Sequence, residues 1–329
     1  KGDRMRPREE VLAGAPSFLP ALAGDFPAAP PEAATTGRRA ALARWITDPR
    51  NPLTPRVIVN RLWQHHFGEG LCRNPDNLGF NGPRPEHRDL LDFLARDLVD
   101  GGWRLKRLHR LMVTSATYRQ SSLHPDQDRL AERDPGNALL WRAERRRLDA
   151  ESLRDAILAA SGELDRRVGG PSFKAPIQAE ALEGLSMKAA AWVPSPPEEC
   201  RRRSLYMFTK RGLVVPLMTT FDVCDNTVPT GRRDVSIVPL QALTLLNNDW
   251  VRERARACAA RVTAAAADPA GRVEAAWRTI LGRSPSERER AAALAHVAAQ
   301  VDGDVSREPL AWSSLCQVLF NTNAFITVD

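Results

Sequence analysis

Apolar positions recur with a helical period over most of this chain, and the places where that period stops divide it. From residue 37 to about 162 the pattern predicts successive amphipathic helices. A short one lies in "GRRAALARWITDP". "LTPRVIVNRLWQHHFG" follows, with Thr54 as N-cap, Pro55 in the first turn and Gly68 as stop. Next come "PEHRDLLDFLARDLVDGG", "RLKRLHRLMV" and "LDAESLRDAILAASG", the last opening on Asp149 as N-cap. Between 163 and 238 the period is lost. "AAAWVPS" and "RRSLYMFTKR" read there as two short strands of a hairpin, with both faces of the second covered. From 239 to 329 the helical period returns, with helices expected near 239–247, 249–266, 270–281, 285–301 and 306–319. Residues 1–36 are rich in proline and alanine. They predict an extended arm docking through Phe18, Leu19, Leu22 and Phe26. The expected fold is mainly α: an irregular multi-helix bundle with a small β-hairpin insertion and long ordered loops, its four parts forming one integrated domain.

Composition sharpens this picture only in places. At 43% hydrophobic over 329 residues, the chain can bury a real core. No apolar run reaches the roughly 20 residues of a membrane helix. The net charge of +7 comes almost wholly from arginine, with only five lysines, as a GC-rich coding bias would produce. With no aromatic stacking motif or basic groove beside it, that charge is only weak evidence for nucleic-acid binding, and no nucleic-acid partner is expected. The five cysteines show no CxxC or CxxCH spacing, and a single Cys200–Cys224 bridge stays open. Walker A, GxGxxG, GxSxG and HExxH signatures are absent. The start at Lys1, without an initiating methionine, reads as the C-terminal piece of a longer protein.

Candidate chemistry gathers in a few strings. In "NRLWQHHFG", a rotation of about 100° per residue puts His66 on the stripe of Val59, Leu62 and Trp63 and turns His65 toward Arg61. Adjacent histidines on one helix do not chelate an ion as an i,i+4 pair does, so no metal site is expected. His66 reads either as a packed, hydrogen-bonded histidine or as part of a polar site. His87 and His109 could join such a site. "FDVCDNTVPTGRRDVSIVPLQALTLLNN" carries Asp222, Arg232, Arg233 and Gln241, enough hydrogen-bonding capacity for a binding loop or for an internally satisfied one. In "RRRLDAESLRD", Arg146, Arg147, Asp149 and Glu151 form either a solvated charged face or a partly buried network pinning the helix to the irregular region.

Several strings taken together identify a family resemblance. "LARWITDPRNPLTPRVIVNRLWQHHFGEGL", "GWRLKRLHRLMVTSATYRQSS", "VGGPS", "RRSLYMFTKR" and "RRDVSIVPLQALTLLNN" occur in the order found in the planctomycete-specific C-terminal domain family, domain of unknown function 1553. The resemblance implies export, in a multidomain protein whose upstream part carries a family 1549 domain and a cytochrome-c-like domain. Any haem would sit in that upstream part, and this chain itself would hold no cofactor. Relatives often carry a cysteine before the paired arginines, where Thr230 and Gly231 stand here. No catalytic residues are established for the family. Two functions stay open: a binding or assembly module for the upstream domains or an extracellular polysaccharide, and an enzyme, or half of a composite active site, for a carbohydrate or redox substrate.

Overall fold

A computed structural model describes residues 5–9, 11–27, 29–177, 182 and 192–328. The chain divides into two units, Lys1–Glu144 and Arg145–Asp329. Both are built from helices, with two antiparallel pairs of two-residue strands among the described residues.

In the first unit, helices α1 (Arg38–Thr47), α2 (Leu53–Phe67), α3 (Arg88–Asp100), α4 (Leu105–Val113) and α5 (Gln127–Arg133) follow one another. Helices α2, α3 and α4 pack mutually. Their apolar stripes bury Val59, Trp63, Leu91, Leu94, Leu98, Leu108 and Met112. Helix α2 starts earlier than Thr54. The Asn51 side chain accepts from Leu53 N–H at 3.0 Å and donates to Trp45 O at 3.0 Å, so a buried asparagine does the capping. Gly68 ends the helix at φ 91°, where a side chain would be strained.

The arm folds back on itself instead of lying extended. Strands β1 (Gly14–Ala15) and β2 (Gly24–Asp25) pair around a 3₁₀ turn at Pro20–Leu22, and Phe26 N–H donates to Ala13 O at 2.8 Å. Leu19, Leu22 and Phe26 are half-buried. Phe18, expected to dock, is 65% exposed.

The second unit holds α6 (Ala150–Ser161), α7 (Pro216–Thr220), α8 (Pro239–Asn247), α9 (Asp249–Ala265), α10 (Pro269–Leu281), α11 (Glu287–Val301), α12 (Glu308–Phe320) and α13 (Asn323–Ile326). Helix α9 lies at the centre and packs on α6, α8, α10 and α12. Its alanines and Cys258 allow close approach, and the larger Trp312, Leu315, Phe320, Val273 and Leu153 fill the remaining space. Helix α6, which the sequence pattern grouped with the N-terminal helices, therefore packs among the C-terminal ones. Asp149 caps it through Ser152 N–H at 2.7 Å. Ser286 and Glu289 form a capping box at the start of α11. Strands β3 (Arg146–Arg147) and β4 (Thr327–Val328) pair and clasp the two ends of the unit.

The small antiparallel hairpin thus sits in the arm, not between residues 189 and 211. Residues 189–191 of that expectation lie outside the described residues. In the rest, Ser204–Tyr206 is a 3₁₀ turn, and only isolated bridges form: parallel ones of Asp165 with Arg202 and Phe173 with Met207, and an antiparallel one of Lys210 with Leu213. The Asp155 carboxylate takes both the Ser204 N–H and its hydroxyl at 2.8 and 2.7 Å, which removes a donor from any ladder. Leu205, expected to be covered, is 76% exposed. No helix among the described residues is long and apolar enough to cross a membrane.

Candidate functional site

Within the first unit, the end of α2 brings His66 against α4. His66 Nε2 and His109 Nδ1 lie 2.7 Å apart, so one nitrogen donates and the other accepts. Tyr118 stands edge-on to both His66 and Phe67, and Phe67 stacks on Trp63 at 4.0 Å. His65 turns outward and is exposed. His87 bonds elsewhere, to Ala138 O at 2.9 Å. Asp92 pairs with Arg56 at 2.6 Å, and that hydrogen bond holds its carboxyl below the usual 3.8. Among the described residues, no three His, Cys, Asp or Glu side chains converge to hold a metal ion.

The other candidates fall in the second unit, around Arg147. Its guanidinium is buried and aims from β3 into the loop after α7. It donates to Asp222 Oδ2 at 2.6 Å, Ser236 O at 3.1 Å and Leu148 O at 2.7 Å, and lies over the Phe221 ring. Asp222 adopts φ 58°, a left-handed conformation uncommon for a residue with a side chain. Its carboxylate also accepts the Ser236 N–H at 2.8 Å and hydroxyl at 2.9 Å. Burial pushes the Asp222 pKa up. The two Ser236 bonds and the Arg147 cation outweigh this, so the carboxyl is held below 3.8. Gln241 closes the ring from α8. Its Nε2 donates to Thr220 O at 3.1 Å and Ser236 O at 3.2 Å.

Arg233 extends the cluster with a two-pronged bond to Glu151 at 2.6 and 3.0 Å, and Asp149 stands 3.9 Å away. The Glu151 bond raises its pKa. Arg232 is exposed and Arg146 half-buried. The structure therefore joins Asp222 and Gln241 to Arg147, and Arg233 to Glu151 and Asp149. His66 and His109 pair with each other in the first unit.

A third framework joins strings that the sequence reading kept apart. Arg154 on α6 is buried between Phe173 and Trp250. It donates to Cys200 O, to Arg202 O at 3.1 Å and to Ser204 Oγ at 3.2 Å. Burial pushes its pKa down to about 10. Peptide carbonyls and a hydroxyl take most of its hydrogen bonds, while Asp155 stays 3.6 Å away. Arg202 is equally buried and donates to Gly169 O and to Pro171 O at 2.5 Å. Phe173 N–H and Phe208 N–H then bond across between "VGGPSF" and "RRSLYMF". Carbonyl acceptors leave no trace in residue identity. The only available signal was the density of arginine in one string and the paired glycines of the other.

All five cysteines are free, and no Cys200–Cys224 bridge forms. The Cys200 thiol faces Ser195 O at 3.4 Å and Lys174 O at 3.5 Å.

A family model matches residues 38–297, well over half of the chain. The chain belongs to the PSD1 family, described as protein of unknown function (DUF1553). No match was found among curated proteins or solved structures.

Proposed function

We propose that this chain is a binding and assembly module of an exported, cytochrome-associated multidomain protein, docking the protein's upstream domains. The observation that carries the reading is a run of exposed apolar side chains laid against the Arg147–Asp222 cluster. Val235 and Ile237 are 64% and 81% exposed, on either side of the inward-turned Ser236. Leu240, Leu243 and Leu246 continue at helical spacing along α8, at 59%, 53% and 41%. Exposed apolar patches of this kind mark protein contacts more often than chance scatter. The buried hydrogen bonds beneath hold the run in one shape, which lowers the entropy cost of docking. Haem, in this reading, stays with the upstream cytochrome-c-like domain.

The test is binding of this chain to the separately produced upstream domains by calorimetry, with wild type and the double variant Ile237→Asp/Leu240→Asp. The reading expects saturable binding that the double variant weakens at least tenfold with its melting temperature unchanged. No binding, or equal binding by both, overturns it. A composite active site shared with those domains is the second reading, supported by the left-handed Asp222 among polar groups. It requires that the joined domains turn over a carbohydrate or redox substrate and that Asp222→Asn abolishes turnover without unfolding.

A further inference from the structure

Residues 233–238 lead into α8 with neither turn nor bend, and Val238 at their end has φ −130° and ψ 149°, the geometry of a β-strand. Ser236 is fastened to the Arg147–Asp222 cluster. Its N–H donates to Asp222 Oδ2 at 2.8 Å and its hydroxyl to Asp222 Oδ1 at 2.9 Å. Its C=O accepts from Arg147 Nε at 3.1 Å and Gln241 Nε2 at 3.2 Å. In an extended chain the backbone N–H and C=O of successive residues point to opposite edges. Those of Val235 and Ile237 therefore point away from the cluster. Among the described residues, neither backbone makes a hydrogen bond to another part of the protein.

We propose that this free edge takes up an extended, uncharged segment of the partner as an added β-strand, bonded to the backbone of Val235 and Ile237. The proposal rests on the docking reading above and names what the partner presents there. An unpaired strand edge is a template for a further strand. Val235 and Ile237 each offer one donor and one acceptor, two residues apart, which matches alternate residues of one extended peptide. Ser236 between them is bonded through N–H, C=O and hydroxyl, so the edge is already fixed and little chain entropy is lost on pairing. Pro239 has no N–H and ends the edge. Charge selects the occupant. From Val235 to Asn248 no residue carries an ionisable side chain. A charge brought over this strip would lose its water and meet no counter-ion. The added strand is therefore neutral, with apolar side chains on the face it shares with Val235 and Ile237.

The experiment measures amide hydrogen exchange of the full chain by NMR, alone and with the separately produced upstream domains, and binding by calorimetry for wild type, Ile237→Pro and Val235→Thr. Ile237→Pro removes an N–H that the free chain leaves unbonded and keeps an apolar side chain. Val235→Thr keeps the N–H and the β-branched shape. The Val235 and Ile237 amides should exchange rapidly in the free chain and at least tenfold more slowly in the complex. Ile237→Pro should weaken binding at least tenfold, and Val235→Thr less than threefold. Val235→Pro repeats the test at the other residue if Ile237→Pro lowers the melting temperature. Saturable binding with both amides still exchanging rapidly, or proline variants that bind as wild type does, overturns strand addition and leaves the docking reading standing. Absence of any binding removes both. Protection of the two amides in the chain alone, with a dimer in sedimentation, would make a second copy the occupant and overturn the assignment to the partner.

Discussion

Arg147 reaches across 75 residues of sequence to place its Nη2 2.6 Å from Asp222 Oδ2, and the aspartate takes a left-handed backbone to meet it. The pair is asymmetric. The arginine side chain is 2% exposed and the aspartate 21%, so the cation is the member that has lost its water. Three backbone carbonyls, those of Ser236, Leu148 and Phe221, share the solvation of that cation, and the Ser236 N–H and hydroxyl do the same for the anion. Asp222→Asn keeps the size and the tolerance for the left-handed conformation while removing the charge. It should destabilise the protein by about 2–4 kcal/mol, toward the lower part of the cost of stranding a buried charge. Urea unfolding of the two proteins measures it. A change under about 0.5 kcal/mol, the range of an ordinary surface substitution, would show that the carbonyls alone suffice for Arg147.

The same carboxylate sets a pH dependence. Its folded pKa is depressed below 3.8, so its contribution to stability is complete above that value. The contribution is lost as pH falls through the lower folded value. Glu289 in the α11 capping box is depressed in the same direction, first by Arg283, and acts over the same acid range. The melting temperature should therefore drop from roughly pH 4 downward, and more shallowly in Asp222→Asn than in wild type. Identical slopes in the two proteins would remove Asp222 from the account.

Arg154 should be the least replaceable of the buried cations. Arg154→Ala would strand Cys200 O, Arg202 O and Ser204 Oγ and open a void between Phe173 and Trp250. The expected cost is about 3–5 kcal/mol. Arg154→Lys should recover little of it, because one ammonium cannot span the positions served by a planar fork. Denaturant midpoints of both variants decide the point. Full rescue by lysine would mean that charge alone matters there.

The helices were legible because their signals are local. Apolar spacing, Asp149, Ser286 and Gly68 each act within a turn or two, so the positions of α8 to α12 follow from residue types. The start of α2 was misread because Asn51, not Thr54, supplies the cap, a choice settled by its bond to Trp45 O. The irregular region was not legible for a related reason. Alternating Leu205, Tyr206, Met207 and Phe208 looks like a strand. Its conformation is instead decided by Arg154 and Asp155 on α6, about fifty residues earlier in the chain. The polar candidates show the same limit. Residue identity named Asp222, Gln241 and the histidines, and only long-range packing chose Arg147 as partner for Asp222, Thr220 O and Ser236 for Gln241, and His109 for His66.

The adjacent histidines of α2 should differ sharply on substitution. His66 is half-buried, with its ring edge-on to Tyr118 and its Nε2 on His109, whereas His65 is exposed. His109→Phe keeps an aromatic ring beside His66 and removes the nitrogen that pairs with it. The loss of one partly buried hydrogen bond should cost about 0.5–1.5 kcal/mol in urea unfolding. His65→Ala should stay within about 0.5 kcal/mol of wild type. NMR of the imidazole nitrogens supplies an independent readout: His66 Nε2 and His109 Nδ1 should share one slowly exchanging proton, and that signal should vanish in His109→Phe and persist in His65→Ala. Equal costs for the two substitutions, with no shared proton in wild type, would mean that the contact between α2 and α4 rests on apolar packing and not on the imidazole pair.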